Sequence, residues 1–194
     1  MDRTSKAVHR LWGSLGKNGE LNSAPRFADE LEAHCSGSLD LCVPSVSKWS
    51  YGRQLEHLYL ATHWTFDRLD ESMTGANASE KMNLLGMTFL TAGFIPRGLF
   101  PTIPPLETQG GTMEIIDPLR QRLYKRLDNV RWSLKEILAC HGRSKHPRMT
   151  YLAARHWMRF LDVHHRHHLA IIRDIVAAAE QSPAQAGAPL ESRP

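Results

Sequence analysis

The sequence lacks long apolar runs. Nowhere in its 194 residues do about 18 consecutive apolar residues occur, the length that a membrane-spanning helix requires. The opening stretch MDRTSKAVHRLWGSLGKNGE carries charge but has no apolar core of the kind found in secretory signal peptides. We therefore expect no membrane segment and no membrane partner, and a cytoplasmic location follows by default.

Cysteine is scarce. The three cysteines, Cys35, Cys42 and Cys140, are odd in number and form no CxxC pair. Together with the lack of a secretory leader, this argues against a disulfide framework. We therefore expect reduced thiols that are mostly buried.

An excess of one charge sign is also missing. The chain has 24 basic and 20 acidic residues, for a formal net charge of +4, and the two signs are interleaved. Basic side chains gather only over residues 120–131, where Asp128 interrupts them. Because nucleic-acid affinity depends on several phosphate contacts along one face, a nucleic-acid partner is not expected.

Runs of alternating Val, Ile and Thr that would indicate strands are few, whereas apolar positions at the helical period are common. We therefore predict an all-α bundle in one domain over residues 23–181, between a flexible segment at 1–22 and a disordered tail at 182–194. Helices are predicted over 26–35, from Ser50 to Met73, over 78–92, from Asp117 as N-cap and Pro118 as first helical residue to near Gly142, and from about Thr150 to Gln181.

A segment rich in glycine and proline, residues 93–112, separates the predicted helices and cannot itself remain helical. So long a loop is uncommon unless it packs over the body of the domain or lines a site. Two interpretations stay open, a lid over a functional site and a passive crossover connection.

Two histidines lie on the apolar face of the last predicted helix. At about 100° per residue, His164 and His168 fall within the same stripe as Trp157, Leu161 and Ile171. Imidazoles in a core-facing stripe need partners for their nitrogens. A divalent metal ion would satisfy both, since residues at i and i+4 lie one turn apart on one face.

A third ligand should come from another helix, and His57 is the best candidate. It lies at the shoulder of an apolar face with Leu60 and Trp64, whereas Glu56 and His63 fall on the polar side and are expected at the surface. The alternative is that the three histidines are core residues bonded to backbone carbonyls or to acidic side chains.

The motifs around these histidines resemble a known family. WSYGRQLEHLYLAT resembles the start of the second helix in DinB-like proteins, also called YfiT-like metal-dependent hydrolases, and His164 followed by HRHHLAII resembles their last helix. HPRMTYLAARHWMRF is similar to an uncharacterised bacterial branch. The resemblance covers roughly residues 25–180, although the insertion at 75–112 distinguishes this chain from the shortest members.

The resemblance implies an antiparallel four-helix bundle, here with an extra short helix and the long Gly/Pro-rich loop. It also implies one divalent ion, zinc or nickel, held by one histidine of the second helix and two of the last. The matching positions are His57, His164 and His168. Family members include transferases that act with small bacterial thiols.

We expect a metal-dependent hydrolase or small-thiol S-transferase acting on a small molecule, with an open coordination position on its metal. Glu56, Glu114 and Asp162 are conceivable proton carriers, but no catalytic residue is assigned. The alternative is a non-catalytic interaction protein in which the histidines are structural or hold a structural metal. A homodimer through exposed tryptophan faces is a further expectation.

Overall fold

A computed structural model describes residues 31, 33–75, 79–127, 132 and 134–181, and these residues are mostly helical. The predicted terminal segments at 1–22 and 182–194 lie outside them, as do most residues of the helix predicted at 26–35. The elements are α1 (Tyr51–Thr74), α2 (Leu84–Ala92), a 3-10 turn (Pro104–Leu106), α3 (Met113–Leu127), α4 (Leu134–Ala139), β1 (Arg143–His146), β2 (Thr150–Ala153) and α5 (Ala154–Gln181).

The two longest helices, α1 and α5, pack against each other in antiparallel orientation. Gln54, near the start of α1, contacts His168 in the second half of α5, whereas Ser72, near the end of α1, reaches the carbonyl of Leu152, just before α5 begins. Apolar side chains at the helical period fill the space between them. Members of this core that are at most 3% exposed include Leu55, Leu58, Phe66, Leu161 and Ile172.

The prediction for α1 is confirmed at both ends. The Ser50 hydroxyl accepts a hydrogen bond of 3.3 Å from the Arg53 amide, which makes Ser50 the N-cap. The helix ends before Gly75. His57 therefore sits two turns into a helix whose start is fixed by its own cap.

The all-α prediction is wrong in one place, because β1 and β2 form a small antiparallel hairpin. Arg143 pairs with Ala153, and His146 pairs with Thr150 across the turn. Each strand has only four residues and no alternation of β-branched side chains, so the sequence gives no periodic signal there. As a result, α5 begins at Ala154 rather than near Thr150.

The helix predicted from Asp117 differs from the structure. Helix α3 begins at Met113, so Pro118 lies inside it rather than at its first position. The turn before Pro118 is held by packing, since Ile116 is completely buried in the core. The predicted continuous helix to Gly142 is also wrong, because Trp132 is not helical and the separate helix α4 ends at Ala139.

The third predicted helix starts later than expected. Residues 79–83 are not helical, and α2 begins at Leu84 after the Asn83 side chain accepts a hydrogen bond from the Gly86 amide. At the other end, Gly93 adopts a left-handed conformation with φ of 70°, which favours glycine and ends the helix as predicted. The chain then enters the long loop.

The loop over residues 93–112 packs against α1. The Glu56 carboxylate accepts hydrogen bonds from three successive loop amides, of Gln109, Gly110 and Gly111, at 2.7 to 3.2 Å. A Cβ atom on Gly52 would lie 2.0 Å from the Gly111 carbonyl oxygen, so the two backbones meet at a distance that only glycine allows. The end of the loop is thus fastened to α1, whereas a lid movement stays a prediction.

We expect Glu56→Gln to lower the free energy of unfolding by about 2 kcal/mol, because charged hydrogen bonds to three amides are replaced by at most two neutral ones. Urea denaturation measures this change. Glu107→Gln, an exposed glutamate in the same loop, is the matched control and should shift the midpoint negligibly. Equal effects of the two variants would contradict the proposed anchoring role of Glu56.

Candidate metal centre

His57 of α1 and His164 and His168 of α5 come together at the centre of the α1–α5 interface. One ring nitrogen from each lies within 4.8 Å of the others, and the side chains are 4%, 8% and 9% exposed, respectively. The antiparallel packing of the two helices brings His57 opposite the i, i+4 pair. These are the three residues that the sequence singled out.

Two of the three rings are held by hydrogen bonds on their Nδ1 atoms. His57 Nδ1 lies 3.0 Å from the carbonyl oxygen of Leu106, so it must donate. His168 Nδ1 lies 2.7 Å from Oε1 of Gln54, whose amide nitrogen in turn donates to Ser47 at 3.0 Å. In a neutral imidazole the other nitrogen then carries no proton and has a free lone pair. Both Nε2 atoms are therefore ready to bind a cation.

The third ring, that of His164, cannot donate a hydrogen bond to both of these lone pairs. His164 Nε2 lies 3.3 Å from His57 Nε2, and its Nδ1 is buried without a hydrogen-bond partner among the described residues. A single N–H of His164 cannot satisfy both the His57 and the His168 lone pair. One divalent cation would bind the Nε2 lone pairs of all three rings, so the donor set fits a metal ion.

The spacing of two of the nitrogens is also that of a metal site. Two nitrogens bound to one zinc ion at about 2.0–2.1 Å and at a tetrahedral angle lie about 3.3 Å apart. His57 Nε2 and His164 Nε2 already have this separation. This pair could therefore bind one ion without rearrangement, and a ring nitrogen of His168 lies within 4.8 Å of both ligand atoms.

Burial keeps the three imidazoles neutral at neutral pH. Desolvation lowers the pKa of His164 and of His168 well below the ordinary value of 6.5, and the charges of neighbouring histidines act in the same direction. Desolvation likewise lowers the pKa of His57. Since metals bind the neutral form of imidazole, protons compete weakly for these ligands.

The histidines line a cavity of about 530 Å³, within the size range of small-molecule sites. Among the described residues no fourth His, Cys, Asp or Glu joins the cluster. Three protein ligands beside an open cavity are the pattern of catalytic metal sites, whereas structural zinc sites are closed by a fourth. The cavity wall is largely apolar, with aromatic side chains from Trp49, Trp64, Phe89, Phe100 and Phe160.

The candidate proton carriers do not reach the cluster. Glu56, expected at the surface, is 1% exposed and holds the loop amides. Asp162 is buried but forms ion pairs with Arg159 and Arg166. Glu114 is exposed and does not line the cavity. No described carboxylate is placed to exchange a proton with a molecule at the histidines.

The surface position predicted for His63 is wrong. His63 is 5% exposed, and its Nε2 donates to the carbonyl oxygen of Leu119 on α3 at 2.9 Å. The helical period placed it correctly on the side away from the ligand histidines. Helix α3 covers that side, which only the tertiary structure reveals.

His146, a histidine of β1 that lines the same cavity, was not predicted from the sequence as a site residue. Its Nδ1 accepts hydrogen bonds from the amides of Arg148 and Met149, at 3.1 and 3.2 Å, and so closes the hairpin turn. The local signal was a histidine before proline, which indicates a turn but does not place the ring.

No protein-family model, curated protein or solved structure matches the chain. Among the described residues, no helix is long and apolar enough to cross a membrane.

Acidification should destabilise the fold partly through His146. Burial, aided by the charge of Arg148, lowers the pKa of His146 to about 4 from 6.5, so the unfolded chain takes up the proton first as the pH falls. The stabilising effect of the neutral ring is complete above pH 6.5 and is lost as the pH falls towards the pKa of His146 in the folded protein. When the pH is lowered from about 7 to about 5, the free energy of unfolding of the wild type should therefore fall by about 2 kcal/mol more than that of His146→Asn.

Urea denaturation at the two pH values measures this difference, which is taken within each variant so that changes in packing cancel. His141→Asn is the control, because His141 is an exposed histidine that does not line the cavity. A pH dependence of His146→Asn equal to that of the wild type would show that His146 is not buried in its neutral form.

Proposed function

We propose that the chain is a divalent-metal-dependent enzyme that holds one ion, zinc or nickel, through His57, His164 and His168. The observation that supports this most directly is the convergence of imidazole lone pairs beside an open cavity, with no fourth ligand from the described part of the chain in the cluster. The proposed reaction is hydrolysis or small-thiol S-transfer on a small, largely apolar molecule.

The protein's part in such a reaction is positioning. The Leu106 carbonyl and the Gln54 amide hold the His57 and His168 rings in one tautomer and one orientation. The apolar wall excludes bulk water from a bound substrate. A divalent ion at the three histidines would supply Lewis acidity, which polarises a bound oxygen or lowers the pKa of a bound thiol.

The family assignment is part of this proposal. The resemblance to DinB-like proteins agrees with the mostly helical fold and with the placement of the three histidines on two helices, the second of which is long and last in the described chain. The antiparallel four-helix bundle, the cytoplasmic location and a thiol co-substrate extend the proposal beyond those observations.

Elemental analysis of protein purified without affinity tag or chelator tests the metal site. We expect about one equivalent of zinc or nickel per chain, and none in the variant His57→Ala, His164→Ala, His168→Ala. His141→Ala, at an exposed histidine, should retain the metal. A wild-type protein that binds no metal even after reconstitution would remove the metalloenzyme proposal.

The activity is tested separately on the metal-loaded protein. Hydrolysis of p-nitrophenyl esters and transfer of a small thiol to 1-chloro-2,4-dinitrobenzene are the first assays, each with the triple variant as blank. A stoichiometric metal without turnover across such substrate classes would favour the alternative, a helical protein with a structural metal.

The Gln54 contact should tune metal affinity. Gln54→Leu removes the acceptor that orients His168, and loss of such a partner typically weakens metal binding by about 10- to 100-fold. Competition with a chromogenic zinc chelator measures the change. Gln121→Leu, on the exposed side of α3, is the control. Unchanged affinity in Gln54→Leu would contradict the orienting role.

A further inference from the structure

His146 is a polar side chain in an otherwise largely aromatic part of the cavity. Its ring is 6% exposed and makes edge contacts with Trp64 and Phe160, at centroid distances of 5.5 and 5.1 Å. A buried polar group among aromatic rings costs free energy unless both of its nitrogens have partners. The position of each nitrogen therefore bears on what the cavity binds.

The hairpin turn fixes the tautomer of this ring. Nδ1 accepts from two backbone amides, of Arg148 and Met149, so it carries no proton. In the neutral ring the proton is then on Nε2, which makes Nε2 a donor. Neither hydrogen bond of His146 within the described residues uses Nε2.

His146 and the metal centre share the cavity. The ring of Phe160 contacts both, with its centroid 5.1 Å from that of the His146 ring and 5.3 Å from that of the His164 ring. One small molecule lying against Phe160 can thus reach the three-histidine cluster with one end and His146 with the other.

We infer that His146 is a substrate-binding residue whose Nε2–H donates a hydrogen bond to a carbonyl-type oxygen of a small aromatic or otherwise apolar substrate. This inference deepens the proposed function and rests on the cavity being the substrate site. The residue has a second, structural role through Nδ1, and the two roles can be separated by substitution.

The tautomer is tested first. A long-range proton–nitrogen NMR spectrum of the full-length, metal-loaded protein should show the His146 ring protonated at Nε2 and not at Nδ1, with its signals assigned by their loss in His146→Asn. A proton on Nδ1, or on both nitrogens at neutral pH, would overturn the inference.

Binding is tested with acetophenone and α-methylstyrene, which share a shape and differ in a carbonyl oxygen against a methylene group. We expect the wild type to bind acetophenone about threefold to tenfold more tightly, the effect of one neutral hydrogen bond. Acetophenone should also shift the His146 Nε2–H proton. Equal affinities, or no shift of that proton, would overturn the inference.

Two variants separate the donor from the turn. In His146→Asn the side-chain oxygen can still accept from the Arg148 and Met149 amides, but no N–H reaches the former Nε2 position, so the preference should vanish while the protein still unfolds cooperatively. His146→Gln places an amide N–H near that position and should keep most of the preference at a lower melting temperature. A preference that persists in His146→Asn would assign the carbonyl contact to another group.

Metal content measured on the same samples separates this inference from the proposed function. A protein without metal that still shows the His146-dependent preference would sink the metalloenzyme proposal alone. A metal-loaded protein without that preference would sink the inference alone.

Discussion

The burial of polar side chains between α1 and α5 is the constraint on which the rest of the structure depends. Gln54, His57, Thr62 and His168 all lie in this interface, where each must find a partner inside the protein. Most of them bond across it, as Thr62 does with His165 at 2.8 Å. The two helices are therefore fixed in register by polar contacts as well as by apolar packing. This register places His57 opposite His164 and His168.

The loop over residues 93–112 supplies hydrogen-bond partners to two of the buried polar side chains of α1. Its Leu106 carbonyl accepts the hydrogen bond from His57 Nδ1, and its amides at 109–111 donate to the buried carboxylate of Glu56, one residue earlier in the chain. Neighbouring residues of α1 thus depend on neighbouring parts of one loop. The interpretation of this loop as a passive connection accounts poorly for these contacts, because the loop supplies part of the environment of the histidine cluster and much of the cavity wall.

The placement of His57, His164 and His168 could be predicted because it follows from helical period and burial, both of which are local properties of the sequence. Glu56 and His63 could not be placed, since the loop and α3 that cover them arrive from residues about 50 or more positions away. The hairpin was not predicted because strands of four residues are too short to show the alternation of apolar and polar side chains. His146, which lies in this hairpin, was therefore not placed either. Helix α3 began before Pro118 because tertiary packing of Ile116 outweighed the local preference of proline for a first turn.

The contact between Gly52 and Gly111 divides the loop into two parts that differ in their freedom to evolve. Any side chain at either glycine would force the backbones apart and disturb the segment that orients His57. A Cβ atom on Gly98, by contrast, would have no neighbouring atom within 4 Å, so the only restriction at that position is its left-handed φ of 68°, which favours glycine. Substitutions and insertions beside Gly98, away from Leu106, can remodel the cavity wall, and with it the range of molecules accepted, while the histidine cluster keeps its geometry. The fold thus separates the part of the site that sets its chemistry from the part that can diversify its specificity.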